Sequence, residues 1–232
     1  FQNKLLVFDP FRRWMFHKSD LIFCNSNQTA SFLPKKVLSK TSISLAIGIE
    51  KNEAKVRKEK VGENFRLLYA GNLLHWKGLH LGLKAVDHIS SQISAKYTII
   101  GQGNIQDFVT KRISDKNIEH ISKIPQYRLM ELYKTYDVFL FPSFRDSGGM
   151  VVLEALAQGL PVICLDLGGP GQIVNETCGR VITTKNKNED EVVESISKVI
   201  IKLQNDPVLL NQLSNGAIQR AAEFNWDKTV AK

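Results

Sequence analysis

The sequence lacks the features that mark several other classes of protein. No stretch approaches the roughly 20 consecutive apolar residues of a membrane-spanning helix, and the segment after Phe1 has no signal-peptide pattern. Cysteine is scarce, and Cys24, Cys164 and Cys178 have none of the spacings typical of a metal site or a redox motif. They are expected to be small core side chains in a reducing compartment, which predicts a cytoplasmic protein.

The usual catalytic and cofactor patterns are also missing. The sequence shows no nucleophile–base–acid set for covalent catalysis. It also has no Gly-x-Gly-x-x-Gly fingerprint with an acid about twenty residues later, which argues against a dinucleotide oxidoreductase. Four histidines, His75, His80, His88 and His120, have no metal-ligand spacing, so we expect them to be solvent-exposed. Neither a metal nor a cofactor is expected.

What the sequence does contain is an ordinary globular composition with an uneven charge. Its 232 residues, 43% hydrophobic and 23% charged, allow one large domain or one domain and part of another. Residues 1–60 hold twelve Lys and Arg against five Asp and Glu, and so carry +7 of the formal net charge of +8. This portion is either a solvated surface with a basic linker or a surface for an anionic membrane face or acceptor. Nucleic acid is not an expected partner, because no aromatic residues interleave with the basic run at 55–60.

Short apolar segments alternate with segments of helical periodicity along most of the chain. This alternation predicts an α/β fold with a doubly wound parallel sheet, whose ligand should lie at the carboxyl ends of the strands. Strands are predicted at 20–25, 43–49, 65–70, 97–100, 118–121, 138–141, 162–165 and 179–182. Helices are predicted at 77–89, 105–114, 127–136, 191–203 and 207–224, with a further helix between Ser147 and Gly159 and a turn at 168–171.

The most informative segment joins the predicted strand 138–141 to the helix after it. Pro142 ends the strand, Asp146 or Ser147 is predicted to cap the helix, and Gly159 ends it. The start of such a helix presents free backbone N–H groups and a positive dipole end. Both features suit a phosphate or another anion.

Two glycines and two acids give this segment further chemical character. Gly148 and Gly149 have no side chains, so a ligand can approach the backbone closely. Asp146 and Glu154 lie eight positions apart, one in the loop and the other two turns into the helix. A nucleotide-sugar has an anionic pyrophosphate and two rings of hydroxyls, and this arrangement suits both.

The whole segment resembles the donor-binding signature of retaining glycosyltransferases of the GT-B fold, in the "group 1" family. That signature is an acid, seven residues and a Glu within Pro-Ser…Gly…Glu-Ala…Gly-Pro-Val. The sequence has Pro142-Ser143, Glu154-Ala155 and Gly159-Leu160-Pro161-Val162 at the corresponding places. Asp146 stands where Glu is more usual. The resemblance implies one Rossmann-like half of a GT-B fold that binds a nucleotide-diphospho-sugar.

The loop that follows the predicted strand 65–70 resembles a second motif of that family, Gly-Arg-Leu-x-x-x-Lys-Gly. Gly71, Lys77 and Gly78 match, and Asn72 replaces the arginine. The resemblance implies that Lys77 holds the donor diphosphate. Asn72 can donate hydrogen bonds but has no charge, which should weaken phosphate binding. The alternative for Lys77 is a solvated lysine in a first helical turn.

The resemblance also implies a role for each remaining site residue. Asp146 would contact hydroxyls of the donor sugar, and Glu154 would contact those of the ribose. Asp146 and Lys77 are the predicted catalytic residues. The alternatives are helix capping for Asp146 and a surface position for Glu154. The predicted donor-binding residues are Gly71, Asn72, Lys77, Gly101, Pro125, Ser147, Gly148, Gly149, Met150 and Glu154.

The resemblance extends over nearly the whole chain and predicts its organisation. It implies the tail of an acceptor domain at 1–48, a linker at 49–64, a donor domain at 65–224 and the start of a crossing segment at 225–232. The first half of a full enzyme would then lie outside this sequence. The chain alone is therefore expected to transfer little or no sugar.

The expected function is donor binding in a retaining glycosyltransferase that uses a UDP- or GDP-linked sugar. The resemblance implies a saccharide or lipid-linked acceptor in surface polysaccharide or glycolipid assembly, with peripheral contact to the inner membrane face through the basic N-terminal portion. One alternative is a non-catalytic nucleotide-binding or interaction module, for which Asn72 is the best evidence. Another is a nucleotide-sugar epimerase of the same fold. A phosphorylase is disfavoured, because no lysine has a setting that would bind pyridoxal phosphate.

Overall fold

A six-stranded parallel sheet forms the centre of the molecule. The computed structural model describes residues 9–44, 47–49, 64–111, 117–224 and 226. The bounds of its strands are β3 Phe65–Ala70, β4 Ala95–Ile100, β5 Ile118–Ile121, β6 Val138–Phe141, β7 Val162–Leu165 and β8 Gly179–Ile182. These strands lie in the order β5-β4-β3-β6-β7-β8. This topology confirms the predicted α/β class with a doubly wound parallel sheet.

Helices cover the sheet, and its central strands are apolar on both faces. Every residue of β6 and β7 is buried, as expected for parallel strands with a layer on each side. The helix bounds are α3 Leu79–Ile89, α4 Gln106–Thr110, α5 Gln126–Tyr133, α6 Met150–Ala157, α7 Pro170–Ile173, α8 Glu189–Asn205 and α9 Pro207–Ala222. The most extensive packing between helices is that of α3 with α8 and of α6 with α9.

The order of the strands creates a crevice between β3 and β6. From β3 the chain moves outward through β4 to β5, and then returns to place β6 on the other side of β3. β3 and β6 pair at Leu67–Val138 and Leu68–Phe139. In such sheets the loops after the two strands at this reversal diverge, and ligands bind between them. The two motifs found in the sequence follow β3 and β6.

The N-terminal segment forms a separate small unit. It contains α1 Pro10–Lys18, β1 Ile22–Cys24, α2 Asn27–Ala30, a 3₁₀ helix Lys35–Lys40 and β2 Thr41–Ile43. β1 and β2 pair in parallel, from Ile22–Thr41 to Cys24–Ile43. The side-chain Oε1 of Gln28 accepts a hydrogen bond of 3.0 Å from the Gly168 N–H, which joins this unit to the main one.

The prediction of a strand over 43–49 is wrong at both ends, because β2 covers Thr41–Ile43 and only Ile43 is shared. The pairing with β1 fixes these bounds, since it runs from Ile22–Thr41 to Cys24–Ile43. Residues 45 and 46, most of the predicted linker 49–64 with its basic run, and nearly all of 225–232 lie outside the described residues. The predicted domain boundaries therefore stay predictions.

Three further local expectations are corrected. The helix predicted at 77–89 begins at Leu79, because His75–Lys77 form a 3₁₀ turn that ends at Gly78 with a φ of 66°. The turn predicted at 168–171 continues into α7, which has Pro170 at its first position, where a missing N–H costs nothing. The helix predicted from 191 begins two residues earlier, with Asn188 and Glu191 forming a capping box.

Candidate functional site

The loops after β3 and β6 contact each other through their backbones. The Phe144 and Arg145 N–H groups donate hydrogen bonds to the Trp76 carbonyl oxygen at 3.0 and 3.3 Å. A Cβ at Gly78 would lie 1.9 Å from the carbonyl oxygen of Pro142, and the φ of 66° favours glycine independently. Glycine at 78 is therefore needed for the two loops to meet.

This contact places Lys77 and Asp146 side by side. The Lys77 ammonium donates a hydrogen bond to Oδ2 of Asp146, and the two side chains are only 16% and 14% exposed. The Lys77 Nζ also lies 5.5 Å from the centroid of the Phe141 ring. Because the pair is shielded from water, its attraction is stronger than that of a surface ion pair. The two predicted catalytic residues thus lie together at the switch point of the sheet.

The Asp146 carboxylate also binds the start of α6. Its Oδ1 accepts a hydrogen bond of 2.6 Å from the Gly149 N–H, and its backbone oxygen accepts one of 2.8 Å from the Gly169 N–H. The predicted helix cap at Asp146 or Ser147 is nevertheless displaced. Gly149 occupies the cap position with a φ of 68°, a conformation that favours glycine over a serine or aspartate cap.

Glu154 lies about 7 Å from Gly149 along the axis of α6, because each residue of a helix adds 1.5 Å. Its carboxylate accepts hydrogen bonds from the Gln126 side-chain amide at 3.0 Å and the Tyr133 hydroxyl at 3.4 Å. Burial raises the pKa of Glu154, and these two hydrogen bonds oppose the rise. Burial and the Glu154 charge raise the pKa of the Tyr133 hydroxyl. The Glu154 carboxylate is therefore fixed by two hydrogen bonds rather than freely solvated.

The loops after β3 and β4 also pack tightly. The Gly71 N–H donates to the Ile100 carbonyl oxygen at 3.0 Å, and a Cβ at Gly101 would lie 1.9 Å from the Gly71 oxygen. The Asn72 side chain is exposed, and its backbone oxygen accepts a hydrogen bond of 3.0 Å from the Tyr69 hydroxyl. Burial, followed by the Asp146 charge, raises the pKa of the Tyr69 hydroxyl.

The remaining predicted residues lie around these contacts. Pro125 is exposed at the start of α5, directly before the Gln126 that binds Glu154. Ser147 is exposed, and Met150, at the first position of α6, is 40% exposed. The loops after β3, β4 and β6 thus bring Lys77 and Asp146 together, whereas α5 and α6 bring Pro125 close to Glu154.

The structure adds side chains that the sequence reasoning missed. Gln126 and Tyr133 hold Glu154, and Tyr69 stacks on Phe141 at a centroid distance of 5.6 Å beneath the Lys77 loop. Gln126 could have been found, because it directly follows the predicted Pro125. Tyr69 and Tyr133 read as ordinary core residues, and no local sequence signal distinguishes them.

Within the part of the chain that the structure describes, two kinds of feature are not found. No cluster of three or more His, Cys, Asp and Glu side chains could hold a metal ion. In the same residues, no helix is both long and apolar enough to cross a membrane. All three cysteines are free and buried.

Comparison with known proteins places this geometry in context. The family model described as "Glycosyl transferases group 1" matches residues 50–220. An uncharacterized glycosyltransferase of Methanocaldococcus jannaschii is 26% identical over 170 residues, which cover 72% of this chain and 42% of the relative. A D-inositol 3-phosphate glycosyltransferase of Arthrobacter is 27% identical, with 72% and 41% covered. A glycogen synthase of Mycobacterium tuberculosis is 25% identical, with 94% and 53% covered.

Two solved structures share the fold over nearly all of this chain. The pneumococcal O-GlcNAc transferase GtfA, in complex with UDP and GlcNAc, superimposes with a TM-score of 0.75 and 18% identity, covering 96% of this chain and 45% of GtfA. TarM superimposes with a TM-score of 0.71 and 15% identity, covering 94% and 44%. The chain thus spans about half the length of the relatives it matches.

Proposed function

Since the chain belongs to the group 1 family of glycosyltransferases, we propose that it forms the donor-binding part of a retaining enzyme that uses a nucleotide-diphospho-sugar. The observation that carries this proposal is the Lys77–Asp146 pair beside the Gly149 N–H, at the switch point between β3 and β6. Switch points of doubly wound sheets are where such folds bind nucleotides.

Lys77 and the start of α6 supply the positive groups that a diphosphate needs. As the bond between sugar and phosphate breaks, negative charge develops on the leaving diphosphate, and fixed positive groups stabilise that charge. In our proposal the Lys77 ammonium and the backbone amides near Gly148 and Gly149 have this role. Asp146, which binds both Lys77 and the Gly149 N–H, would then contact hydroxyls of the donor sugar.

Glu154 is proposed to bind the ribose hydroxyls of the nucleotide. Gln126 and Tyr133 fix both of its oxygens, so that the lone pairs left over have defined directions. Pro125, at the start of α5, is proposed to lie beside the nucleobase, since Gln126 follows it directly. A donor would then extend along α6, with its phosphates near Gly149 and its ribose near Glu154.

For the donor, the acceptor and the biosynthetic process we propose classes rather than single compounds. The donor is a UDP- or GDP-linked sugar, and the acceptor is a saccharide or a lipid-linked saccharide in surface polysaccharide or glycolipid assembly. The UDP in the GtfA structure supports a nucleotide-linked donor, and the similarity to a glycogen synthase supports a saccharide acceptor. The proposed cytoplasmic location is supported by the three free and buried cysteines. The proposed peripheral membrane contact rests on the net charge of +7 over residues 1–60.

One observation favours a second candidate, a non-catalytic module on the same fold. Asn72 is exposed and uncharged at the position where the family signature has an arginine. Asn72→Arg tests whether this loop holds phosphate, which the donor-binding proposal requires and a pure interaction module does not. If the loop holds phosphate, the added guanidinium should strengthen UDP binding about fivefold or more. Asn72→Gln, which adds length without charge, is the control and should leave the affinity unchanged.

Calorimetric titration of the 232-residue chain tests the proposal directly. UDP, GDP and ADP and their sugar conjugates would be titrated into the wild type and into Asp146→Ala and Glu154→Ala. We expect Glu154→Ala to weaken every nucleotide and Asp146→Ala to reduce the preference for the sugar conjugate over the bare nucleotide. Glu194→Ala, which removes an exposed acid on α8, is the control and should change neither.

Two results would count against the proposal. If no nucleotide binds even at millimolar concentration, the interaction module becomes the better account. If binding survives both Asp146→Ala and Glu154→Ala unchanged, the assigned site is wrong.

A further inference from the structure

A cavity of about 590 Å³ lies beside the Lys77–Asp146 pair. One wall comes from α1, α2 and the segments on either side of α2, and the other from Trp76, residues 144–147 and Gly168. Asp146 lines this cavity and also belongs to the proposed donor site, so the two spaces adjoin. The cavity therefore has the position of a second substrate, next to the group that would be transferred.

The cavity has a surplus of positive charge. Its charged lining side chains are Arg12, Arg145 and Asp146, and Lys77 neutralises Asp146. Arg12 pairs with Asp9 at 3.6 Å, but both side chains are more than 40% exposed, so this pair is weak. Arg145 has no acidic partner among the described residues, although its backbone N–H is fixed by the Trp76 oxygen. Its guanidinium is therefore available to a ligand.

The lining also has a surplus of hydrogen-bond donors. Oδ1 of Asn25 accepts from the Thr29 hydroxyl at 3.0 Å, and Oε1 of Gln28 accepts from the Gly168 N–H at 3.0 Å. These two bonds engage the amide oxygens and orient the side chains. In the part of the chain described, the amide nitrogens have no acceptor, so they are free to donate. A ligand that matches this lining must be rich in oxygen acceptors.

Aromatic rings supply the rest of the walls. Trp76 is 48% exposed, Phe32 43% and Phe144 36%, and all three line the cavity. Phe144 stacks on His80 at 5.7 Å, which holds its ring in place. Flat apolar surfaces between a few polar groups are typical of small-molecule sites. The C–H face of a sugar ring packs well on such a surface, whereas a bare inorganic anion gains nothing from it.

We propose that this cavity binds a saccharide that bears a negatively charged group, either a carboxylate or a phosphate ester, and that Arg145 is the residue that selects the charge. The proposal rests on the proposed function, because it identifies the class of the second substrate of that same site. Arg145 would make charge-assisted hydrogen bonds to the anionic group, with Arg12 as a weaker second cation. Trp76 and Phe144 would pack on the ring.

The test measures saccharide affinity by ligand-observed NMR on the 232-residue chain, with UDP present at saturation to fill the donor site. The probes are glucuronic acid, glucose 6-phosphate, glucose and inorganic phosphate. We expect both anionic sugars to bind at least about tenfold more tightly than glucose. Arg145→Gln should remove this advantage while leaving the affinity for UDP unchanged. Arg13→Gln, on the same helix as Arg12 but outside the cavity lining, is the matched control and should change neither.

The outcomes separate this proposal from the proposed function. Equal affinity for glucose and glucuronic acid, or an anion preference that survives Arg145→Gln, would overturn it. So would inorganic phosphate that binds as tightly as glucose 6-phosphate, because the ring would then contribute nothing. If UDP binds and none of the sugars does, the proposal fails and the donor site stands. If UDP fails to bind and the Arg145-dependent preference remains, the cavity assignment stands and the proposed function fails.

Discussion

The Asp146 carboxylate occupies two positive groups of the site. One oxygen binds the Lys77 ammonium and the other accepts the Gly149 N–H at 2.6 Å. These are the groups proposed to hold the donor diphosphate. A nucleotide that binds there must therefore share or displace this carboxylate, so Asp146 opposes the binding of phosphate even though it is proposed to contact the sugar.

Asp146→Asn separates these two effects. Asparagine keeps the size of the side chain and an oxygen that accepts the Gly149 N–H, but it leaves Lys77 without a counter-charge. We expect UDP to bind about three- to tenfold more tightly, because the phosphate no longer competes with a carboxylate. The sugar conjugate should lose its advantage over UDP. Calorimetry with both ligands measures this, and a weaker UDP affinity in the variant would contradict it.

Glu154 shows how a residue that is proposed to bind a ligand can reduce the stability of the fold. Burial raises its pKa above the ordinary value of 4.5, so the folded protein holds a proton there more readily than the unfolded chain. Between the two pKa values the folded state binds more protons. Stability therefore falls as the pH rises through this window, and it stays lower above it.

Glu154→Gln, which is neutral at every pH, should therefore raise Tm by about 1–3 °C at pH 7. This gain should vanish below pH 4, where the glutamate is protonated in both states. Thermal denaturation at several pH values measures the difference. Glu194→Gln is the control, since Lys198 lowers the pKa of Glu194, and it should give no gain at pH 7. A gain for Glu154→Gln that persists below pH 4 would contradict the proposed cause.

At the scale of elements, two loops that are 69 residues apart in sequence build the site. The 3₁₀ turn His75–Lys77 presents Lys77, and the loop between β6 and α6 presents Asp146. Their backbones touch at Gly78 and Pro142, with no room for a side chain between them. The geometry of the ion pair therefore depends on this glycine.

Gly78→Ala should separate the loops. The added Cβ would lie 1.9 Å from the Pro142 oxygen, and the φ of 66° is unfavourable for alanine. We expect a loss of about 2–4 kcal/mol in the free energy of unfolding, measured by denaturant titration. Gly148→Ala is the control, because its Cβ would meet one flexible side-chain atom, Cγ2 of Ile47, at 3.3 Å. Equal stability of the two variants would show that the loop contact is not needed.

The elements themselves were largely predictable, and the contacts between them were not. The strands 65–70, 118–121, 138–141, 162–165 and 179–182 were predicted with the bounds of the structure, because buried parallel strands are short apolar runs with clear ends. β2 was misplaced, since its position depends on its pairing with β1. The 3₁₀ turn before α3 was missed because the packing of Gly78 on Pro142 fixes it.

In the candidate site, too, the residues could be predicted and the contacts between them could not. Lys77, Asp146 and Glu154 were found from motifs, because each motif is local in sequence. That Lys77 binds Asp146, and that Gln126 and Tyr133 hold Glu154, could not be predicted. These contacts join residues 21 to 69 positions apart, and they depend on how the strands order themselves in the sheet.

At the scale of the whole molecule, the reversal of strand order beside β3 makes the site. Had β6 been added beyond β5, β4 and β5 would lie between β3 and β6, and the loops after β3 and β6 would be three strand spacings apart, about 14 Å. The observed order places them next to each other at the carboxyl edge. The N-terminal unit then closes one side of the adjoining cavity through α1 and α2.

The central claim is that Lys77, held at this switch point, binds the diphosphate of a nucleotide donor. The most direct measurement is the calorimetric affinity of the chain for UDP before and after Lys77→Met, with Lys84→Met as the control. Lys84 is an exposed lysine on α3 that pairs with Glu189 at 2.6 Å. The account predicts a loss of at least about tenfold for Lys77→Met and no change for Lys84→Met. Unchanged UDP affinity in a folded Lys77→Met protein would contradict it.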